Sequence, residues 1–197
     1  MIIIGLTGGI GMGKSTAAAI LNKFGLPIYD ADKAVHGLLQ KGGKAVKPVA
    51  KLFPECVNKG AIDRAILGRL VFGKPAQLKK LEKILHPLVR RAERDFLKQA
   101  RRDKAPAAVL EIPLLFETGA EDRCDITICV TATRAVQKAR VLKRKGMTSQ
   151  RLAAILQRQM PDKDKRNRAD FVVRTHKGRV DTRRQLQDII KKLEVGG

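Results

Sequence analysis

A chain of 197 residues, 44% of them hydrophobic, is long enough for one domain with a real core, and an aromatic content of 4% makes that core mainly aliphatic. Forty-one Lys and Arg against 19 Asp and Glu give a formal charge of +22, which attracts polyanions, yet the six Phe and one Tyr form no basic aromatic run, so nucleic acid is not the expected partner. Three cysteines without CxxC spacing (Cys56, Cys124 and Cys129) argue against a zinc site or disulfide framework, and the opening apolar run is too short for a signal peptide or membrane span. A soluble cytosolic protein is expected.

Ile2–Leu6 is short, apolar and β-branched, and predicts a buried central strand. Gly8 to Gly13 follow as a glycine-rich loop, and Lys14–Phe24 carries a helical apolar stripe ended by Gly25. Pro27–Tyr29 predicts a second strand, closing a βαβ unit at Asp30-Ala31-Asp32. From Lys33 to Lys104 no strand is expected; helices are predicted over Ile62–Phe72 and Ala76–Arg102, the second broken or kinked near His86 by Pro87. This stretch reads as a helical lobe inserted in the core. Strands return at Ala107–Ile112, Ile126–Val130 and Phe171–Val173, with helices at Ala135–Arg144, Ser149–Met160 and Thr182–Leu193. Five short apolar strands separated by helices predict an α/β fold, a parallel sheet with helices on both faces and ligands at the strands' C-terminal ends.

Gly8, Gly13, Lys14 and Ser15 complete the pattern G-x-x-x-x-G-K-[ST] between a predicted strand and a predicted helix. Glycines let backbone N–H groups wrap a phosphate at a helix N-terminus, the lysine reaches β- and γ-phosphates, and the serine hydroxyl ligates Mg²⁺. Residues Gly8, Gly9, Ile10, Gly11, Met12, Gly13, Lys14, Ser15 and Thr16 are therefore the expected nucleotide loop. Of Asp30 and Asp32, one is expected to serve phosphoryl transfer to a hydroxyl and the other to hold the turn or cap a helix. Glu111, at a strand end, is a candidate for the Mg²⁺ shell or for a salt-bridged strand end, and Leu114, Leu115 and Phe116 line an apolar pocket or belong to the core. Arg134–Arg168 holds 12 Lys/Arg and two acidic residues, which reads as a basic lid. In it, Arg140 and Arg144 are expected on one helix face, toward a polyphosphate. His86 has no partner spacing for a metal site.

The set GLTGGIGMGKST at 5–16, YDAD at 29–32, IDRAILGRLVF at 62–72, ILHPLV at 84–89 and EIPLLFE at 111–117 resembles the dephospho-CoA kinases over essentially the whole chain. Met12 stands where many members have Ser, and Thr175-His-Lys-Gly178 where many have Asn-x-Gly. The resemblance implies a P-loop fold of the nucleoside-monophosphate-kinase kind. Its core would take about residues 1–32, 105–136 and 168–197, with a CoA-side helical lobe at about 33–104 and a lid at about 137–167. It implies transfer of the ATP γ-phosphoryl, with Mg²⁺, to the ribose 3′-hydroxyl of dephospho-CoA; a monomer is expected. It implies Asp32 as base, Lys14 and Arg140 on the ATP phosphates, and His86, Leu114 and Leu115 along the dephospho-CoA site. The rivals are another small-molecule P-loop kinase and a nucleotide switch or RNA-binding ATPase. Against a GTPase switch, the nearest guanine-like motif, Asn58-Lys59-Gly60-Ala61, lacks the required Asp.

Overall fold

A computed structural model describes residues 1–193; the last four residues of the expected core segment 168–197 lie outside the described residues. Five strands form the main sheet: β1 (Ile2–Thr7), β2 (Ile28–Asp30), β5 (Ala107–Glu111), β6 (Ile126–Thr131) and β7 (Phe171–Arg174). Their order is β2-β5-β1-β6-β7, and the neighbours from β5 through β7 pair in parallel. Every residue of β5 is buried, as are the last four of β1 and the last five of β6. Side chains alternate between sheet faces, so uninterrupted burial requires cover on both sides, and continuous apolar runs supply it.

The chain divides into two compact units, one of residues 1–29 with 100 onward, the other Asp30–Gln99. In the first, α1 (Lys14–Lys23) and α9 (Arg179–Lys192) contribute Ala17, Leu21, Leu186 and Ile189 to a core with Ile4, Leu6, Val109, Ile128 and Val130. The same unit carries α6 (Arg134–Leu142), α7 (Ser149–Leu156) and α8 (Asp162–Arg168). The helix expected over Ser149–Met160 stops at Leu156, and Asp162–Arg168 makes a further helix.

The second unit holds α2 (Ala31–Leu39), α3 (Val46–Leu52), α4 (Arg64–Val71) and most of α5 (Pro75–Arg102), around Leu39, Val49, Phe53, Cys56, Ile62, Leu67 and Leu81. One expectation fails here, and of the break or kink expected near His86 the break does not occur. A hairpin of β3 (Val57–Asn58) and β4 (Ala61–Ile62) occupies a stretch read as strandless. Its turn residues Lys59 and Gly60 both have positive φ, 48° and 79°, the twist that suits a two-residue hairpin. The break at Pro87 is also absent, because α5 runs through it as one helix of 28 residues. Proline removes one helical hydrogen bond, but Lys83, His86 and Pro87 are exposed, so water can satisfy the carbonyl left free.

Candidate active site

The loop from Gly8 to Gly13 joins β1 to α1. A side chain at Gly8, where φ is 149°, would collide with the Val130 carbonyl oxygen on the adjacent strand. Gly13 caps α1 with φ 98° and offers no side-chain acceptor, and the first turn of α1 holds no acidic residue. The helix therefore presents N-terminal N–H groups and a positive dipole end that no carboxylate of its own neutralises, which suits an anion. Lys14 folds back over the loop and donates from Nζ to the Gly8 carbonyl at 2.9 Å. Ser15 is exposed beside it. Met12 is buried and accepts the Ala132 N–H at Sδ, 3.1 Å, so only its backbone is left for a ligand.

Arg140 reaches this loop from α6. One guanidinium nitrogen donates to Thr175 Oγ1 at 2.8 Å and to the Gly11 carbonyl at 3.4 Å, and the other donates to the Thr175 carbonyl at 2.8 Å. Thr175, just past β7, passes its hydroxyl proton to the Met12 carbonyl at 2.7 Å. Thus Arg140 and Thr175 hold the loop from outside, and the first residue of the stretch Thr175-His-Lys-Gly178 is part of the loop's support. Arg144 lies two residues past the end of α6 at Leu142, in the turn that follows, where its N–H donates to the Val141 carbonyl at 3.0 Å.

Gln137 and Gln159 touch the same loop. Gln137 Nε2 donates to the Ile10 carbonyl at 2.9 Å, and the Ile10 N–H donates to Gln159 Oε1 at 3.0 Å. Sequence reading missed both; glutamines among 12 basic residues carry no distinguishing pattern. The far end of the basic segment is also tied down. Lys165, with no exposed surface, donates to Glu117 at 2.9–3.0 Å and to the Pro113 carbonyl at 2.9 Å. Thr131 Oγ1 lies within hydrogen-bond distance of both carboxylate oxygens of Asp162, 2.9 and 3.0 Å.

Glu111 ends β5, is 8% exposed, and sits in register opposite Leu6, two residues before Gly8. Leu114 is exposed, whereas Leu115 and Phe116 are buried. In the second unit, Asp30 is the N-cap of α2; its side chain accepts the Lys33 N–H at 2.9 Å and pairs with the Lys33 ammonium at 3.4 Å. Asp32 stands in the first turn of that helix with its side chain exposed. His86 lines a cavity of about 640 Å³ on α5 with Lys79, Lys83, Arg90 and Arg94. Among the described residues no helix is long and apolar enough to cross a membrane.

Comparison with known proteins bears on the chemistry. The family model described as dephospho-CoA kinase matches residues 2–181. A dephospho-CoA kinase of Paramagnetospirillum magneticum is 58% identical over 166 residues, covering 84% of this chain and 78% of that protein. One of Rhizobium meliloti is 48% identical over 196 residues, covering 100% of each. Among solved structures, TT1252 from Thermus thermophilus is similar with a TM-score of 0.88 at 38% identity, over 100% of this chain and 98% of that one. A dephospho-CoA kinase from Campylobacter jejuni gives a TM-score of 0.71 at 27% identity, over 97% and 96%. The glycine loop, its basic supports and these matches along nearly the full length lead to one assignment: the chain belongs to the dephospho-CoA kinase family.

Proposed function

We propose that Asp32, Lys14 and Arg140 carry the central chemistry of this family's reaction, ATP-dependent phosphorylation of the ribose 3′-hydroxyl of dephospho-CoA to give CoA and ADP. In that reaction the hydroxyl oxygen forms a bond to the γ-phosphorus while the bond from that phosphorus to the β–γ bridging oxygen breaks. Asp32 takes the hydroxyl proton, and Lys14, Arg140 and amides of the loop not bonded within the protein offset charge on the transferring group. Supporting Asp32 over Asp30 is the division of labour in α2: Asp30 is committed to the cap, while Asp32 is exposed. His86 and Leu114 are assigned to the dephospho-CoA side by the family motifs, and Arg144 to the ATP side by its place in the basic segment.

Mg²⁺ fits the donor set. It is usually bound by one or two protein oxygens plus substrate phosphates, so the Ser15 hydroxyl and the Glu111 carboxylate suffice without a three-ligand cluster. Both are hard oxygen donors, Ser15 exposed at the start of α1. When bound, the ion would offset charge on the ATP phosphates. A cytoplasmic setting is supported by three free cysteines, Cys56 and Cys129 of them buried.

The observation that carries the reading is the glycine loop on a buried parallel strand, with Lys14 folded over it and Arg140 bonded to it, in a chain of this family. The test is an ATP- and Mg²⁺-dependent assay with dephospho-CoA, scored by CoA formation, against a panel of nucleotide and shikimate-like acceptors. CoA formation with the others inert is the expected result; phosphorylation of another acceptor in preference would overturn it.

A further inference from the structure

We propose that Gln159 is a positioning residue for the phosphate loop, fixing the peptide at Ile10 before ATP arrives. The proposal rests on the reading that Gly8–Thr16 hold the ATP phosphates. Ile10 stands between Gly9 and Gly11, and Gly11 has φ of 75°. Within the loop the Met12 N–H holds the Gly9 carbonyl at 3.2 Å; with glycine on both sides of Ile10, the rest of the restraint on its two peptides falls to groups outside the loop that hold them. Two side chains do so. Gln159 Oε1 accepts the Ile10 N–H at 3.0 Å, and Gln137 Nε2 donates to the Ile10 carbonyl at 2.9 Å. One carboxamide supplies the acceptor and the other the donor, so both peptides are fixed at once.

Gln137 is rigid by burial, being 5% exposed on α6. Gln159 lies outside any helix, and its position is set by its neighbours. The next residue, Met160, donates its N–H to Glu117 Oε1 at 2.8 Å. Glu117 is held by the ammonium of Lys165, which has three acceptors for its three hydrogens: both Glu117 oxygens and the Pro113 carbonyl. Pro113 in turn accepts from Thr7 Oγ1 at 3.3 Å, and Thr7 is the last residue before Gly8. The tie therefore runs from one end of the loop, through the turn after β5, back to its middle. Its effect is to keep Ile10 from sampling orientations in which the loop cannot accept a phosphate. Every such orientation removed beforehand lowers the ordering cost of binding ATP.

The test combines site-resolved amide exchange at Ile10, measured without nucleotide, with kinetics of two variants. Gln159→Met keeps the length and removes the acceptor; Gln159→Glu keeps an acceptor and adds charge. In Gln159→Met, Ile10 exchange should quicken about 3- to 10-fold and KM for ATP should rise about 3- to 10-fold, the range expected for one lost hydrogen bond. KM for dephospho-CoA should hold, with the melting temperature within about 3 °C of wild type. In Gln159→Glu, Ile10 stays protected while KM for ATP rises through repulsion. Wild-type exchange and wild-type KM for ATP in Gln159→Met would overturn the proposal, as would equal rises in both KM values. Lys14→Ala separates the two readings. If it weakens ATP binding while Gln159→Met does not, only the role of Gln159 fails; if it leaves ATP binding intact, the phosphate-loop reading fails first.

Discussion

Lys165 is fully buried and its ammonium lies 2.9 Å from Glu117, whose side chain keeps 17% of its surface exposed. The pair joins α8 to the turn after β5. Because the two partners differ in exposure, their loss should be unequal. Glu117→Ala leaves a buried cation without its counter-charge, which costs about 3–5 kcal/mol. Lys165→Met replaces that cation with an apolar group of similar volume and leaves a carboxylate that water can reach, so its cost is smaller. Denaturant unfolding followed at two wavelengths checks the order, Glu117→Ala below Lys165→Met below wild type.

Arg140 makes two parallel donations to Thr175 and a third to the loop. Lysine carries the charge but not the planar fork, so Arg140→Lys is a severe change. We expect kcat/KM to fall about 10- to 100-fold in steady-state assays of CoA formation. Thr175→Val removes the hydroxyl that links Arg140 to Met12 and should reproduce part of that loss.

Cys129 lies wholly buried in β6, and burial, reinforced by the Asp162 carboxylate, pushes its thiol from the ordinary value near 9 to about 12. The unfolded chain loses this proton first as pH rises, so it binds fewer protons than the native state and stability declines with pH. The Cys129 contribution is complete below about pH 9 and is lost as pH climbs toward 12. Cys56 is shifted in the same direction by burial. Unfolding midpoints measured across this range should fall, and Cys129→Ala should flatten the decline.

Much of the first unit is legible in the sequence because its signals are local. Apolar β-branched runs mark β1, β5 and β6, and G-x-x-x-x-G-K-S marks the loop with the strand and helix that frame it. The supports of the loop are not local. Gln137, Gln159 and Thr175 bond to loop atoms 127, 149 and 163 residues away, through backbone groups that any sequence would offer. In the second unit, β3 and β4 have two residues each, too few for a period to show. Pro87 misleads for a different reason: its cost falls on a carbonyl that solvent can satisfy, so the packing of Leu81, Ile84, Leu85 and Leu88 keeps the helix whole.

Asp30 and Asp32 stand two residues apart with different local tasks. Removing the cap with Asp30→Ala should destabilise by about 1 kcal/mol, read as a lower midpoint in thermal unfolding. Asp32 caps nothing, so Asp32→Asn should leave that midpoint near wild type.

The central claim is that Asp32 accepts the proton of the attacking hydroxyl while ATP is held elsewhere, by the loop. Single-turnover CoA formation by Asp32→Asn, with ATP binding measured on the same sample, tests it most directly. We predict that transfer falls by about 10²- to 10⁴-fold while ATP affinity stays within about threefold of wild type. Near-normal transfer in that variant would contradict the assignment.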